Sequence, residues 1–347
     1  MKSTKIVVEN TLDFDRKGEI VEVKTTDSAL DFNTKSYVLK NEKGAEIAYQ
    51  LLPGSEALLI FQADVPAQSS VTYTLEEGTP APVTAKTYAR FVPERSDDFA
   101  WENDIAAFRM YGPALAAIEN PSNGVDIWMK CSDEPVIDRI YADRLERNLS
   151  YHENHGVGLD CYDVKHTMGA GGIAPYTSDF WIGDQFSRYE IVETGPLRCI
   201  FTLIYDTIRV EDTYYEETIT ITTDAGSILN KAVVRYKGVD KPVKLAGGIY
   251  MHQESGVRFY NKENKVIGYA EDAVSNKGVP EGKTYIGVYM PDAAYEPIEK
   301  DNQYAILADY QTGNEFTYYF GGGWSKWKFP EDDDWFNALL HFSQSKR

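Results

Sequence analysis

Apolar and polar residues alternate with a period of two along much of the chain, the pattern of strands buried on one face. Residues 197–205 read LRCIFTLIY and residues 215–222 read YEETITIT. Shorter runs at 6–8, 19–23, 58–61 and 71–75, and further ones at 228–236, 284–290 and 305–310, extend the series. NEKG at 41–44 and DAG at 224–226 are turn signals between such runs. No helical period separates the strands, which predicts a sandwich in preference to a parallel α/β sheet. Only at the end does the period change. There Trp335, Leu339 and Phe342 follow Asp334 at near-helical spacing, so a C-terminal helix with Asp334 as its N-cap is predicted.

The segment EEGTPAPV at 76–83 has the prolines and glycine of a linker. It divides the chain into a small β-sandwich-like domain at 1–84 and a larger β domain at 85–347. The 24 tyrosines suit both strands and a wet binding cleft, since each ring has an apolar body and a polar tip. A formal charge of −19 repels phosphate backbones and speaks against nucleic acid. Charges or turn residues interrupt every apolar run, so no membrane insertion is expected. The start, MKSTKIVVENT, lacks the apolar core of a signal peptide. The expectation is therefore a periplasmic protein if an export signal has been removed, and a cytoplasmic one otherwise. Cys131, Cys161 and Cys199 form no CxxC pair and read as buried free thiols.

Candidate chemistry gathers in four places. YHENHGVGLDCYDVKHTMGAGGIAPY at 151–176 holds three of the five histidines, His152, His155 and His166, with Asp160 and Tyr162 between them. Such groups in a glycine-rich loop suit proton transfer near neutrality. No cofactor is expected. A divalent metal near His152 and His155 is the alternative, with Glu153, Asp160 or His252 as third ligand. GAGGIA at 169–174 matches a dinucleotide fingerprint in letters only, because no strand precedes it and no helix follows. In WENDIAAFRMYG at 101–112, a strand would put Glu102 and Asp104 on one face as a carboxylate pair, with Trp101 and Asn103 on the other. Arg109 and Tyr111 would also share a face, placed to hold a substrate carboxylate and hydroxyl. In GGIYMHQE at 247–254, His252 and Glu254 would point the same way on a strand, as a proton-transfer pair. Trp324 and Trp327 flank a glycine-rich bend and form either a sugar-stacking platform or a cap on the core.

PERSDDFAWENDIAAFRMYGPAL at 93–115, the histidine segment and TDAGSILNK at 223–231 together resemble an uncharacterised bacterial family of polysaccharide-utilisation loci. That domain-of-unknown-function family is often encoded beside, or fused to, unsaturated-uronide hydrolases. The resemblance implies a galactose-mutarotase-like β-supersandwich and a carbohydrate partner, but no established catalytic residue. The resulting expectation is an all-β enzyme acting on acidic, uronate-containing oligosaccharides of pectin or ulvan type by β-elimination. Arg109 would neutralise the uronate, His152 or His155 would take the C5 proton, and Tyr162 or Tyr111 would protonate the leaving oxygen. Glu102, Asn103, Asp104, Asp160, His166, Trp324 and Trp327 would line the substrate. The alternatives are a mutarotase or epimerase using His252 and Glu254, a glycoside hydrolase using Glu102 and Asp104, and a non-catalytic module binding sugar on Trp324 and Trp327.

Overall fold

The computed structural model describes residues 3–27, 31–54, 57–117, 122–238 and 242–346. Two large sheets, one of nine strands and one of eight, carry most of the chain. One continuous apolar core lies between them, with Phe99, Ile127, Phe201, Ile219, Tyr285 and Phe320 all buried. Strand pairs within the eight-stranded sheet are antiparallel throughout, and Asn123–Lys130 with His166–Tyr176 make a parallel pair in the other sheet. The protein is an all-β sandwich with a C-terminal helix, as the period-two pattern predicts.

Strands between Ser3 and Glu77 make two smaller sheets of four and three strands. Leu39, Leu59, Phe61 and Leu75 fill the space between them. A second apolar contact, Leu52 and Ile60 against Leu197 and Ala225, joins this part to the larger sheets. Gln50 fixes the joint. Its Oε1 accepts from the amides of Leu197 and Arg198, both at 2.9 Å, and its Nε2 donates to the Arg198 carbonyl at 3.2 Å.

The glycines of 169–172 lie inside a buried strand, not in a loop. A Cβ on Gly171 would stand 2.6 Å from the Phe320 Cβ, and its φ of +103° is one that L side chains rarely adopt. These glycines let the two sheets approach each other. Glycine plays the same part under the C-terminal helix, where a Cβ on Gly287 would meet Leu339 at 2.4 Å. That helix, Asp332–Ser345 (α2), starts three residues earlier than predicted. Glu331 is its N-cap, and Asp334 sits at the third helical position to complete a capping box.

One helix was absent from the sequence expectation: Ile137–Arg147 (α1). Its N-cap position, Val136, offers no capping side chain. Glu102, on the strand Asp98–Glu102, supplies the acceptor from outside, taking the amides of Val136 and Ile137 at 2.8 Å each. The same carboxylate pairs with the fully buried Lys130 ammonium at 2.6 Å. Among the described residues, no helix is long and apolar enough to cross a membrane.

Candidate functional site

A cleft of about 400 Å³ opens beside the nine-stranded sheet, between the loop 148–165 and the segment at 274–276. Arg109 forms its floor. The residue lies on the strand Ala106–Met110, directly opposite Asp126 on Asn123–Lys130. Its Nε donates to Asp126 Oδ2 at 2.9 Å, and its Nη2 lies 2.6 Å from the same oxygen. Nη2 also reaches Asp160 Oδ2 at 3.2 Å, and Nη1 stands 3.5 Å from Asp98 Oδ2. The rings of Tyr111, Trp128 and Tyr151 surround the guanidinium, with centroids 5.0, 5.1 and 5.5 Å from its Cζ.

Three buried aspartates around one buried arginine cannot all be ionised at low cost. Burial pushes the Asp160 carboxyl well above the usual range, and the neighbouring Asp126 pushes it the same way. Asp126 is raised by burial against the pull of Arg109, and Asp98, also raised by burial, stands at about 6. Burial and the charge of Asp126 thus favour a proton on Asp160 far more than on an exposed carboxyl. Arg109 is already committed to these carboxylates. The cation better placed for a substrate carboxylate is Arg95, whose side chain is 21% exposed and lies 3.4 Å from Asp98.

His152 lines the same cleft, with 45% of its side chain exposed. Its Nδ1 lies 2.9 Å from the Asp160 carbonyl oxygen. A carbonyl can only accept, so Nδ1 carries a proton, and in the neutral ring the lone pair is therefore on Nε2. Among the described residues Nε2 has no hydrogen-bond partner. The ring packs edge-on against Tyr151, and the Asn276 amide donates to the His152 carbonyl at 3.3 Å. This fixed tautomer is the arrangement a general base requires.

His252 sits just beyond Tyr162, edge to face at 4.6 Å, and both of its nitrogens are taken. Nδ1 is 2.6 Å from Glu271 Oε1, and Nε2 is 2.8 Å from the Asp163 carbonyl oxygen. Burial alone would lower its pKa, but the hydrogen bond and charge of Glu271 outweigh burial and raise it. His252 thus clamps the loop as an imidazolium. Residues 251–256 are not a strand, so His252 and Glu254 do not form the expected same-face pair. Glu254 is exposed, and the acid beside His252 is Glu271, on the strand Val266–Val274.

The remaining candidates lie elsewhere or are occupied. Tyr162 lines the cleft, but its hydroxyl donates to the Tyr250 carbonyl at 2.6 Å. Burial drives both the Tyr162 and Tyr111 phenols well above their usual range. His155 turns its Nε2 to the Ser150 carbonyl at 2.9 Å, and His166 turns its own to Gly183 at 3.2 Å. Neither lines the cleft. No three His, Cys, Asp or Glu side chains converge as metal ligands among the described residues. Trp324 is a core residue, 1% exposed, with Nε1 donating to the Glu281 carbonyl. Trp327 is half-buried near Asp104, to whose carbonyl its Nε1 donates at 3.3 Å.

Glu102 and Asp104 do not share a strand face, because the chain turns at residues 103–105. Both are structural. Asn103 Oδ1 accepts from the amides of Ile105 and Ala106, and its Nδ2 donates to the carbonyls of Asp224 and Ser227. Asp104 Oδ1 accepts from the Gly226 amide at 2.6 Å. Two of the three recognisable strings, 93–115 and 223–231, thus meet as a joint between turns. Asp98, Asp126, Tyr151, Arg95 and Glu271 carried no local signal, because each acquires its partners only across strands and loops.

Among solved structures, a glycosyl hydrolase family 38 protein from Enterococcus faecalis is similar at a TM-score of 0.45 and 10% identity, covering 97% of this chain and 46% of that one. An alpha-mannosidase from Enterococcus faecalis V583 follows at 0.39 and 9%, covering 92% and 43%. The chain thus spans less than half the length of either protein, and likeness at this level carries no activity across. An uncharacterised protein, P7 of Formosa agariphila, is 29% identical over 368 aligned residues, covering 98% of this chain and 90% of its own length. Residues 8–346 match the family described as domain of unknown function DUF4861, and the chain belongs to that family.

Proposed function

We propose that the protein is a carbohydrate-active enzyme that abstracts the C5 proton of a uronate unit bound in the Arg109 cleft, expelling the 4-linked sugar by β-elimination. One observation carries this reading: the His152 tautomer, which leaves Nε2 as a base facing a cleft that also holds Arg95 and the buried Asp160, whose pKa burial raises. Arg95 offsets the substrate carboxylate, so that the charge developing at C5 is tolerated. His152 Nε2 takes the proton, the C4–O bond breaks as the C4–C5 double bond forms, and Asp160 gives its proton to the departing oxygen. Arg109 positions Asp160 and Asp126 from below and does not grip the substrate, which changes the part first expected of it. Tyr162 and His252 hold the loop. The uronate itself comes from the family resemblance and not from the cleft.

Incubation with pectin- and ulvan-type oligosaccharides, followed by ultraviolet absorbance and NMR of the products, tests the proposal. An unsaturated uronide at a new non-reducing end is the expected result. New reducing ends without unsaturation would replace the lyase reading with hydrolysis, and anomeric exchange without cleavage would replace it with a mutarotase.

A further inference from the structure

Away from that cleft, a cavity of about 590 Å³ opens where the 14–22 segment, the 224–228 turn and α2 meet. One wall is aromatic. Phe14 stacks flat on His341 with centroids 4.0 Å apart and planes 9° from parallel, and Phe342 lies beside them. The other wall is a rigid polar rack. Arg198, 8% exposed, grips Asp224 through Nε and Nη2 at 2.5 and 2.7 Å, and Glu22 through Nη1 at 2.5 Å.

The cavity opens to solvent and is not a void sealed in the packing. The volume falls in the range of small-molecule sites, which favour boundaries between packed units. An aromatic pair and fixed carboxylates lining one cavity suit a pyranose, which carries apolar CH faces and hydroxyl donors. The charges of the rack are already compensated, with both acids paired to Arg198 and Glu19 paired to Arg16. A charged substituent would gain little there.

We propose that this cavity is a second saccharide site, separate from the catalytic cleft, which binds a neutral pyranose unit on the Phe14–His341 stack. The ligand class rests on the carbohydrate reading above, whereas the location does not. The site adjoins a broader groove of about 830 Å³ on the small sheets, sharing Asp15 and Lys17 with it, so that a chain has room to continue beyond one ring.

Saturation-transfer NMR and calorimetry of the full chain with xylo-, gluco- and galacto-oligosaccharides test this, using wild type, His152→Gln, His341→Ala and Phe14→Ala. His341 is exposed, so its truncation leaves the fold intact, and melting curves check Phe14→Ala. The expected result is binding by wild type and His152→Gln, weakened at least about tenfold in both cavity variants. Absence of neutral-sugar binding, or binding that survives both cavity variants, overturns the second site. Binding lost in His152→Gln and kept in His341→Ala also overturns it, by placing the ligand in the first cleft. Turnover of uronate oligosaccharides is scored separately, so failure of the catalytic reading remains distinguishable.

Discussion

Replacing Glu102 by Ala removes one carboxylate that serves two structures. Lys130, with no exposed surface, loses its counter-ion, keeping only the carbonyls of Asn103 and Glu134. Breaking a buried pair from one side costs about 3–5 kcal/mol, because the remaining charge has no compensation. The amides of Val136 and Ile137 lose their acceptor as well, at roughly 1 kcal/mol or more each when left unsatisfied. The two losses share one group and do not simply add, so a destabilisation of at least about 4 kcal/mol is expected. That is a large part of the 5–15 kcal/mol typical of a domain. Urea denaturation followed by tryptophan fluorescence measures it. Lys130→Met should cost less, since Glu102 keeps both amides, and the double variant should recover part of the loss. A destabilisation below about 1 kcal/mol for Glu102→Ala would refute the view that this carboxylate anchors α1.

Asp98 binds its proton more tightly in the folded protein, since burial raises its pKa to about 6 from an ordinary 3.8. The stability this contributes is present below the unfolded value and is lost as pH rises through about 6, at about 3 kcal/mol in total. Asp98→Asn should remove that slope from urea midpoints taken across this window. His252, with its pKa raised, should remain an imidazolium above the usual range in NMR titrations, and Glu271→Gln should bring the titration down. Trp324→Ala should lower stability by about 3–5 kcal/mol as a core truncation. Calorimetry below its new midpoint should show saccharide affinity unchanged, whereas a platform role would abolish it.

Strands were legible where one face alone is buried. Within Thr213–Asp224, buried and half-buried residues alternate strictly from Tyr215 onward, and the sequence shows the same period. Helix α1 was not legible because IDRIYADRLER is mostly polar and its cap arrives from another strand. The glycines at 169–172 were read as loop, because their purpose, close approach to Phe320 and Val125, exists only once the sheets are stacked. Within the cleft, the dense histidine segment supplies one wall, and His152 faces Arg109 across Asp160. The roles inside it depend on distant partners. Arg109 is engaged by Asp126 from the adjacent strand, and Glu271 displaces Glu254 as the partner of His252. The tryptophans near the glycine bend read equally as platform or core. Trp324 is core because Gly323 leaves room for Phe329 and Trp335 to pack there.

The most direct test of the central claim is the rate of unsaturated-uronide formation by wild type, His152→Gln and His155→Gln on the same uronate oligosaccharide. With His152 as base, wild type forms the product, His152→Gln loses roughly 10²–10⁴-fold in kcat with its fold unchanged, and His155→Gln stays close to wild type. Equal rates for wild type and His152→Gln, or loss of activity in His155→Gln alone, would contradict it.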